Sequence, residues 1–466
     1  MTKQSKVYRH FGSLPFYKDA LKIALPVMAQ MLIQNLVSLI DNFMVAGLGD
    51  IKMSGVNITG QILFVFMVFL NTICIAGGIF MTQFSGANDR QGMKQAFCFK
   101  LFIGIFSTAI FMFVSWGIPR QVLGLMVIGN SQADPVLDEG VQYFRLMAFI
   151  GIPMTVSTII ASSLREIGQV KVPLIISVIA TCLNTFFNWI LIYGNLGAPR
   201  LEVRGAAIAT IIARSAEMLV FLVYLKWKKP PFVINLKIFL NMNFKLIKEI
   251  LGKGWKILFS EMLWVIAETI TTALYNGRGG ADVISGMSAS FAIANLFFIA
   301  FSGVTTATSV LIGKTLGQGK LEEAKRQKIW LLNGSIFFGI FMTVVGLATM
   351  FLIPVVFSNL SENSRQICTQ MVFVMAVYMP AWVYVNVQFA VSRAGGDTTM
   401  GMLVDVITNM LMVIPGMFIM AKLTLIGPVE MYTIIKAVDF VKIVIAHFWL
   451  KNEHWVKNLA AANQSI

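Results

Sequence analysis

One long apolar stretch near the N-terminus sets the class of fold. The residues from Ile23 to Gly49 include a single ionisable side chain, Asp41. At ~1.5 Å of rise per residue the stretch makes a helix of roughly 40 Å, enough to cross a bilayer with some tilt. A carboxylate inside such a helix costs roughly 2.5 kcal/mol or more unless it faces protein, water or a cation. Asp41 is therefore the first functional candidate.

The composition extends this conclusion to the whole chain. Of its 466 residues, 57% are hydrophobic and 13% are charged, whereas charged residues make up about 25% of a typical soluble domain. The formal net charge of +15 comes from Lys and Arg residues between the apolar segments, where the positive-inside rule places them. The cations thus indicate membrane topology, and no nucleic-acid partner is expected.

Charge clusters and Gly/Pro positions divide the chain into twelve predicted transmembrane helices. Their ranges are 16–48, 53–85, 92–117, 138–164, 170–194, 205–227, 246–276, 283–314, 322–357, 365–392, 400–421 and 428–450. The more basic loops fall on one side, so both termini are predicted to be cytoplasmic, in a cell membrane. We predict an all-α integral membrane protein with an N-lobe at 1–228, a cytoplasmic linker at 229–245, a C-lobe at 246–451 and a cytoplasmic tail at 452–466.

Two short motifs recur in the second half of the chain at nearly one offset. Gly86 in "TQFSGANDRQGMKQA" corresponds to Gly313 in "SVLIGKTLGQGKLEEA". Arg165 in "SSLREIGQVKVP" corresponds to Arg393 in "AVSRAGGDTTMG", and the separation of the arginines exceeds that of the glycines by a single residue. This spacing indicates a duplicated six-helix unit, and internal repeats are typical of secondary transporters.

Together with "ALPVMAQMLIQNLVSLIDNFMVAGLG" in the first helix and "GAAIAT" at 205–210, these motifs resemble the multidrug and toxic compound extrusion (MATE) transporters over nearly the whole chain. The resemblance implies twelve helices in two pseudo-two-fold lobes. It also implies a monomeric efflux antiporter without a cofactor, which exports small organic compounds, cationic or lipophilic, in exchange for Na⁺ or H⁺ by alternating access.

Polar residues of the fifth and sixth helices can face Asp41. Asn184 and Asn188 are four residues apart and lie on one helical face, and Thr210 begins a polar spot on the sixth helix. Carboxylate, amide and hydroxyl oxygens suit a hard cation such as Na⁺, although the same carboxyl can bind a proton instead. The resemblance assigns the coupling cation to these four residues. Because Asn188 stands where the DinF-like branch has a carboxylate, a proton relay of two carboxylates is disfavoured.

Further candidates lie in the second half of the chain. Glu261 and Glu268 are seven residues apart on one face of the seventh helix. The resemblance to the NorM-like branch implies a second cation site at Glu261, but the tenth helix lacks the acid that accompanies it there. The alternative is that Glu261 forms an ion pair with Lys253 or Lys256, or that it lines water. The amphipathic side chains at membrane depth predict a substrate site formed by Gln34, Tyr378, Trp382, Asn386 and Glu268.

Other charged residues of the spans have structural explanations. Arg214 and Glu217 are three residues apart, the spacing of a local ion pair. The twelfth helix repeats this spacing in Lys436, Asp439 and Lys442. Asp405, followed by Asn409, is predicted to lie at the solvated start of the eleventh helix, with an ion site as the alternative.

Three other functions fit the sequence less well than export does. A flippase for a lipid-linked precursor would require a strongly basic cleft, whereas the mid-membrane cations are few, chiefly Arg214. A membrane enzyme would require clustered catalytic groups, but the histidines lie near the chain ends, at positions 10, 447 and 454. A channel would show a filter motif or a charged ring. The sequence leaves open the substrate and the coupling ion with its stoichiometry.

Overall fold

The structure, a computed structural model, describes residues 10–46, 48–127 and 133–464. The first nine residues of the predicted N-lobe lie outside these ranges. Throughout the described ranges the regular structure is helical, with no strand. Eleven of these helices are long and apolar enough to cross a membrane.

The helices follow the predicted order closely. The first six are α1 (Leu14–Ala46), α2 (Asp50–Gly86), α3 (Arg90–Gly117), α4 (Ala133–Glu166), α5 (Lys171–Tyr193) and α6 (Glu202–Lys228). The next five are α7 (Phe244–Asn276), α8 (Ala281–Gly317), α9 (Leu321–Val356), α10 (Glu362–Ala394) and α11 (Thr399–Leu423). Short helices lie at Pro119–Gly124, Leu236–Leu240 and Leu459–Gln464.

The twelfth segment, α12, differs from the continuous helix predicted for 428–450. It consists of two pieces, Pro428–Lys436 and Val438–Lys451, with a turn at Ala437. The peptide N–H of Ala437 donates to Ile434 O at 3.2 Å, and Ala437 O accepts from Phe440 N–H at 3.1 Å. These bonds between residues three apart tighten the backbone and interrupt the α-helix there.

The chain forms two compact units. We call residues 29–81 and 89–250 the N-unit, and the described residues of 10–28, 82–88 and 251–466 the C-unit. These limits cut through α1 and α2, because the start of α1 and the end of α2 pack with the second half of the chain. The lobe, linker and tail limits given above stay a prediction.

Small residues bring α5 and α6 of the N-unit into close contact. A Cβ atom on Gly205 would lie 2.4 Å from the carbonyl oxygen of Leu191. Ala206, Ala207 and Ala209 are buried beside it. Helices in lipid associate through such small residues because close backbone approach increases van der Waals contact.

The repeated glycine motifs meet inside the C-unit. A Cβ atom on Gly86 would lie 2.1 Å from Lys314 O, and one on Gly313 would lie 2.4 Å from Thr82 Oγ1. Any larger residue at either position would push the ends of α2 and α8 apart. The two motifs therefore share one structural purpose, which is the close crossing of these helix ends.

We expect Gly205→Ala to destabilise the protein by about 1–3 kcal/mol, because the added methyl overlaps the Leu191 carbonyl. Thermal unfolding of the detergent-purified protein measures the effect. Gly60→Ala in α2 is the matched control, since nothing lies within 4 Å of its added methyl and Ala favours helix by about 1 kcal/mol over Gly. Equal unfolding midpoints for the two variants would contradict the packing account.

Candidate functional site

The structure brings the four predicted cation-site residues together in the N-unit. The Asn188 amide Nδ2 donates to Asp41 Oδ1 at 2.6 Å and to Asn184 Oδ1 at 3.3 Å. Asn184 Nδ2 lies 3.3 Å from Thr210 Oγ1, to which it donates. The Thr210 hydroxyl donates to Ala206 O at 2.9 Å, so its oxygen lone pairs face the amide.

The Asn184 amide lies against the carboxylate of Asp41. With its nitrogen toward Asp41, it donates to Oδ1 at 3.1 Å and to Oδ2 at 3.0 Å. With its oxygen in that place, three oxygens would come together, which is favourable only when a cation or a proton lies among them. An ionised Asp41 without a bound cation therefore favours the orientation in which the amide nitrogen faces the carboxylate.

A second feature of the site fits a cation. Asn188 is 1% exposed, and its Oδ1 is buried without a hydrogen-bond partner among the described residues. A buried acceptor left unpaired costs about 1–3 kcal/mol. A small cation held by Asp41 would give oxygens of this kind a partner, so the donor set suits a hard monovalent ion.

Asp41 has no Lys or Arg within 4.0 Å in the described ranges. Arg214, four residues beyond Thr210, acts on Asp41 electrostatically from a greater distance, but it forms its ion pair with Glu217 at 2.8 Å. Six other acids have a Lys or Arg within 4.0 Å, namely Glu166, Glu217, Glu261, Glu268, Asp405 and Asp439. Asp41 differs from all six.

A chain of polar contacts links four helices of the N-unit. Arg165 Nη1 donates to Gln30 Oε1 at 3.2 Å, and Gln30 Nε2 donates to Ser177 Oγ at 2.8 Å. Ser177 Oγ in turn donates to Glu217 Oε1 at 3.4 Å. The predicted local pair of Arg214 and Glu217 is confirmed, but its connection to Arg165 was not foreseen.

Sequence reasoning also missed a buried ion pair in the N-unit. Lys100 of α3 is fully buried, and its Nζ lies 2.5 Å from Glu166 Oε2 at the end of α4. A Cβ atom on Gly77 would lie 2.7 Å from the Lys100 stem, and one on Gly78 would lie 2.5 Å from Glu166 Oε1. The signal in the sequence was a lysine in an apolar run together with a double glycine that makes room for it.

In the C-unit, Glu261 is paired with Arg393 at 3.0 Å. The expected lysine partners are wrong, because Lys253 Nζ donates to Gly396 O at 2.9 Å and Lys256 Nζ donates to Thr399 Oγ1 at 2.7 Å. The role of Glu261 in a second cation site stays a prediction.

The expectation that Asp405 lies at a solvated helix start is wrong. Its residue is 6% exposed, and it accepts hydrogen bonds from Ser260 and, at 3.3 Å, from Asn409. Lys442 Nζ lies 3.6 Å away. The cause is tertiary, since α7 supplies Ser260 and α12 supplies Lys442. The π-helical turn Val406–Val413 follows directly in α11, and such turns are frequent at functional sites.

The charges of α12 are distributed differently from the prediction. Lys442 contacts Asp439 at 3.3 Å as expected from the spacing, and it also contacts Asp405. Lys436 instead pairs with Glu268 of α7 at 2.9 Å. The ammonium group of Lys442 is therefore shared by the carboxylates of Asp405 and Asp439. A cavity of about 60 Å³ beside them is lined in part by Glu268, Lys436, Asp439 and Lys442.

Four of the five predicted substrate residues lie in the C-unit. The rings of Tyr378 and Trp382 stack at 5.9 Å between centroids, and Trp382 Nε1 donates to Asp439 Oδ2 at 2.9 Å. Asn386 bonds to a carbonyl of its own helix. Glu268 lines the cavity just described, whereas Gln34 is half-buried in the N-unit.

These observations define the class of the protein as an all-helical, multi-span membrane protein with polar networks inside two helical units. A family model, MatE, matches residues 26–190 and again residues 257–419. The chain belongs to the MatE family. The double match confirms the duplicated unit predicted from the glycine and arginine motifs.

The chain is also similar to individual known proteins. The probable multidrug resistance protein NorM of Thermotoga maritima is 24% identical over 310 residues, which are 66% of this chain and 64% of that relative's length. A crystal structure of MATE in the bent conformation matches with a TM-score of 0.84 at 16% identity, covering 99% of this chain and 100% of that one. An outward-facing multidrug resistance MATE family transporter of the MOP superfamily matches with a TM-score of 0.83 at 17% identity, covering 97% and 98%. The predicted all-α fold of twelve membrane helices in two lobes is confirmed.

We expect Glu166→Gln to lower stability by about 3–5 kcal/mol, because it leaves the Lys100 ammonium buried without its counter-charge. Thermal unfolding in detergent and the yield of monodisperse protein measure the loss. Asp138→Asn is the matched control, because it removes an acid from an ion pair at the surface. Asp138 pairs with Arg120, and both side chains are more than half exposed. This variant should leave the unfolding midpoint nearly unchanged. A similar fall in both variants would argue against a special cost of burial.

Proposed function

We propose that this protein is a secondary active exporter, not an enzyme, in which Asp41 binds a coupling cation, Na⁺ or H⁺, in exchange for an organic compound. The observation that carries the proposal is the state of Asp41, which lies among amide and hydroxyl groups and forms no ion pair in the described ranges. The family match and the multidrug resistance relatives support export as the direction of transport.

The coupling step follows from the charge on one carboxylate. When Asp41 is neutralised by a cation or a proton, the Asn184 oxygen turns toward it and completes the ligand set. When the cation leaves, the amide nitrogen turns inward and donates to the bare carboxylate. The site thus has two hydrogen-bond arrangements, each stable in one charge state. An alternating-access cycle requires a difference of this kind between its two states.

The internal repeat relates Asp41 to an acid of the C-unit. At the offset that relates Gly86 to Gly313, Asp41 corresponds to Glu268. Glu268 is paired with Lys436 at 2.9 Å, so it already has a tethered counter-charge, which favours Asp41 as the site of the coupling cation. A second cation at Glu261 would have to compete with the guanidinium of Arg393.

The C-unit supports an organic cation as the substrate. Tyr378 and Trp382 provide stacked aromatic faces, and such faces attract cations. Lys442 serves both Asp405 and Asp439, which leaves one negative charge in excess in this cluster. We propose that these groups, with Glu268 and Asn386, bind the substrate. A substrate role for Gln34, which lies in the N-unit, stays a prediction. In this proposal the protein works as a monomer in the cell membrane with both termini cytoplasmic.

We expect Asp41→Asn to abolish gradient-driven transport, because the amide has no charge for a cation to neutralise. The assay uses vesicles with imposed sodium or proton gradients and a panel of fluorescent organic cations. Asp19→Asn is the matched control, since Asp19 is an exposed acid on the same helix that pairs with Lys22. The control should transport at the wild-type rate, with the response to each gradient identifying the ion.

Two results would overturn the proposal. One is normal gradient-dependent efflux by Asp41→Asn, and the other is a wild-type protein that responds to neither gradient. If Na⁺ is the ion, added sodium should also raise the unfolding midpoint of the wild type and leave that of Asp41→Asn unchanged, because only a bound ligand stabilises the folded state.

A further inference from the structure

The N-unit carries a groove at the end of the bundle where α3 begins and α6 ends. Its volume is about 660 Å³, and residues of α3, α4, α6 and the segment after α6 line it. It contains none of the residues of the candidate cation site. Its function is therefore separate from the proposed coupling step.

The rim of the groove is cationic. Arg90 is the first residue of α3, and Lys94 follows one turn later. Lys226 and Lys229 stand at the end of α6. Among the described residues that line the groove, none is acidic. The rim therefore carries four positive charges at the helix ends, the level where lipid phosphates lie.

The interior of the groove is apolar. Phe97 and Leu101 of α3 line it together with Val156 and Ile160 of α4 and Leu222 of α6. Between Arg90 and Leu101 the helix rises by roughly 16 Å, at about 1.5 Å per residue. A molecule that fits must therefore combine an anionic head with an apolar chain running along the helices.

The outer wall of the groove is held in place by the segment after α6. Phe232 is fully buried, and its ring centroid lies 5.0 Å from that of Phe97. Gln95 Nε2 donates to Asn241 O at 3.3 Å, and Gln95 Oε1 accepts from Asn243 N–H at 2.9 Å. These contacts attach the segment to α3 next to the cationic rim.

We propose that the groove binds an anionic phospholipid of the adjacent leaflet, with its phosphate among Arg90, Lys94, Lys226 and Lys229 and an acyl chain against α3 and α4. Basic pockets between membrane helices bind anionic head groups in this way. Soluble phosphate would leave the apolar interior unfilled, and a zwitterionic lipid would leave the four cations without a net counter-charge. The charge pattern and the apolar depth together favour the anionic lipid.

The test is native mass spectrometry of the full chain with equal amounts of phosphatidylglycerol and phosphatidylcholine that carry identical acyl chains. The wild type should retain phosphatidylglycerol in preference. Replacing Arg90, Lys94, Lys226 and Lys229 by Gln should reduce that preference about fivefold or more. The matched control replaces four linker-region lysines outside the groove by Gln, namely Lys228, Lys237, Lys245 and Lys248, and should keep the preference.

A second variant tests the apolar half of the site. Val156→Trp keeps all four cations but fills the groove, and it should also lower phosphatidylglycerol retention. Equal retention of the two lipids by the wild type would overturn the proposal, as would an equal loss in the control variant. Displacement of the lipid by millimolar inorganic phosphate would show a soluble-anion site instead and would likewise overturn it.

Discussion

The cost of placing a charge in a low-dielectric interior governs the arrangement of polar residues in this protein. A buried charge is tolerated when a partner of opposite sign and further hydrogen bonds compensate it. Lys100 with Glu166 and Arg214 with Glu217 follow that rule in the N-unit. Asp41 departs from it, because its hydrogen-bond partners are amide dipoles and none of the described Lys or Arg residues lies within 4.0 Å of it. The coupling step that we propose rests on this difference, with a mobile positive charge as the partner that Asp41 lacks.

The duplicated unit shows how one scaffold acquired two electrostatic patterns. Glycines at equivalent places in both halves allow the close crossing of α2 and α8 in the C-unit. At the offset that relates Arg165 to Arg393, Ser177 corresponds to Asp405 and Arg214 corresponds to Lys442. The C-unit thus neutralises its own acid with a tethered ammonium group, whereas the N-unit leaves Asp41 open. In our proposal, divergence of a few side chains after duplication is sufficient to assign cation coupling to the N-unit and substrate binding to the C-unit.

Particular residues show where sequence reasoning succeeded. Asn184 and Asn188 were placed on one face by their spacing, and the structure puts both within reach of Asp41. Helical periodicity was enough in this case because both amides lie on one element. Asp405 and Lys436 were misjudged, since their partners come from α7 and α12, which are distant in sequence. Spacing along one helix cannot reveal a partner on another.

The sequence by itself determined the membrane class, the succession of spans, the internal repeat and the choice of Asp41 as the first functional candidate. These properties depend on hydrophobic length, local charge and recurring motifs, all of which are written along the chain. Only the tertiary structure decided which acids have a basic side chain close enough to neutralise them. That outcome depends on side-chain atoms of different helices coming within about 4 Å, a distance set by packing and not by sequence separation.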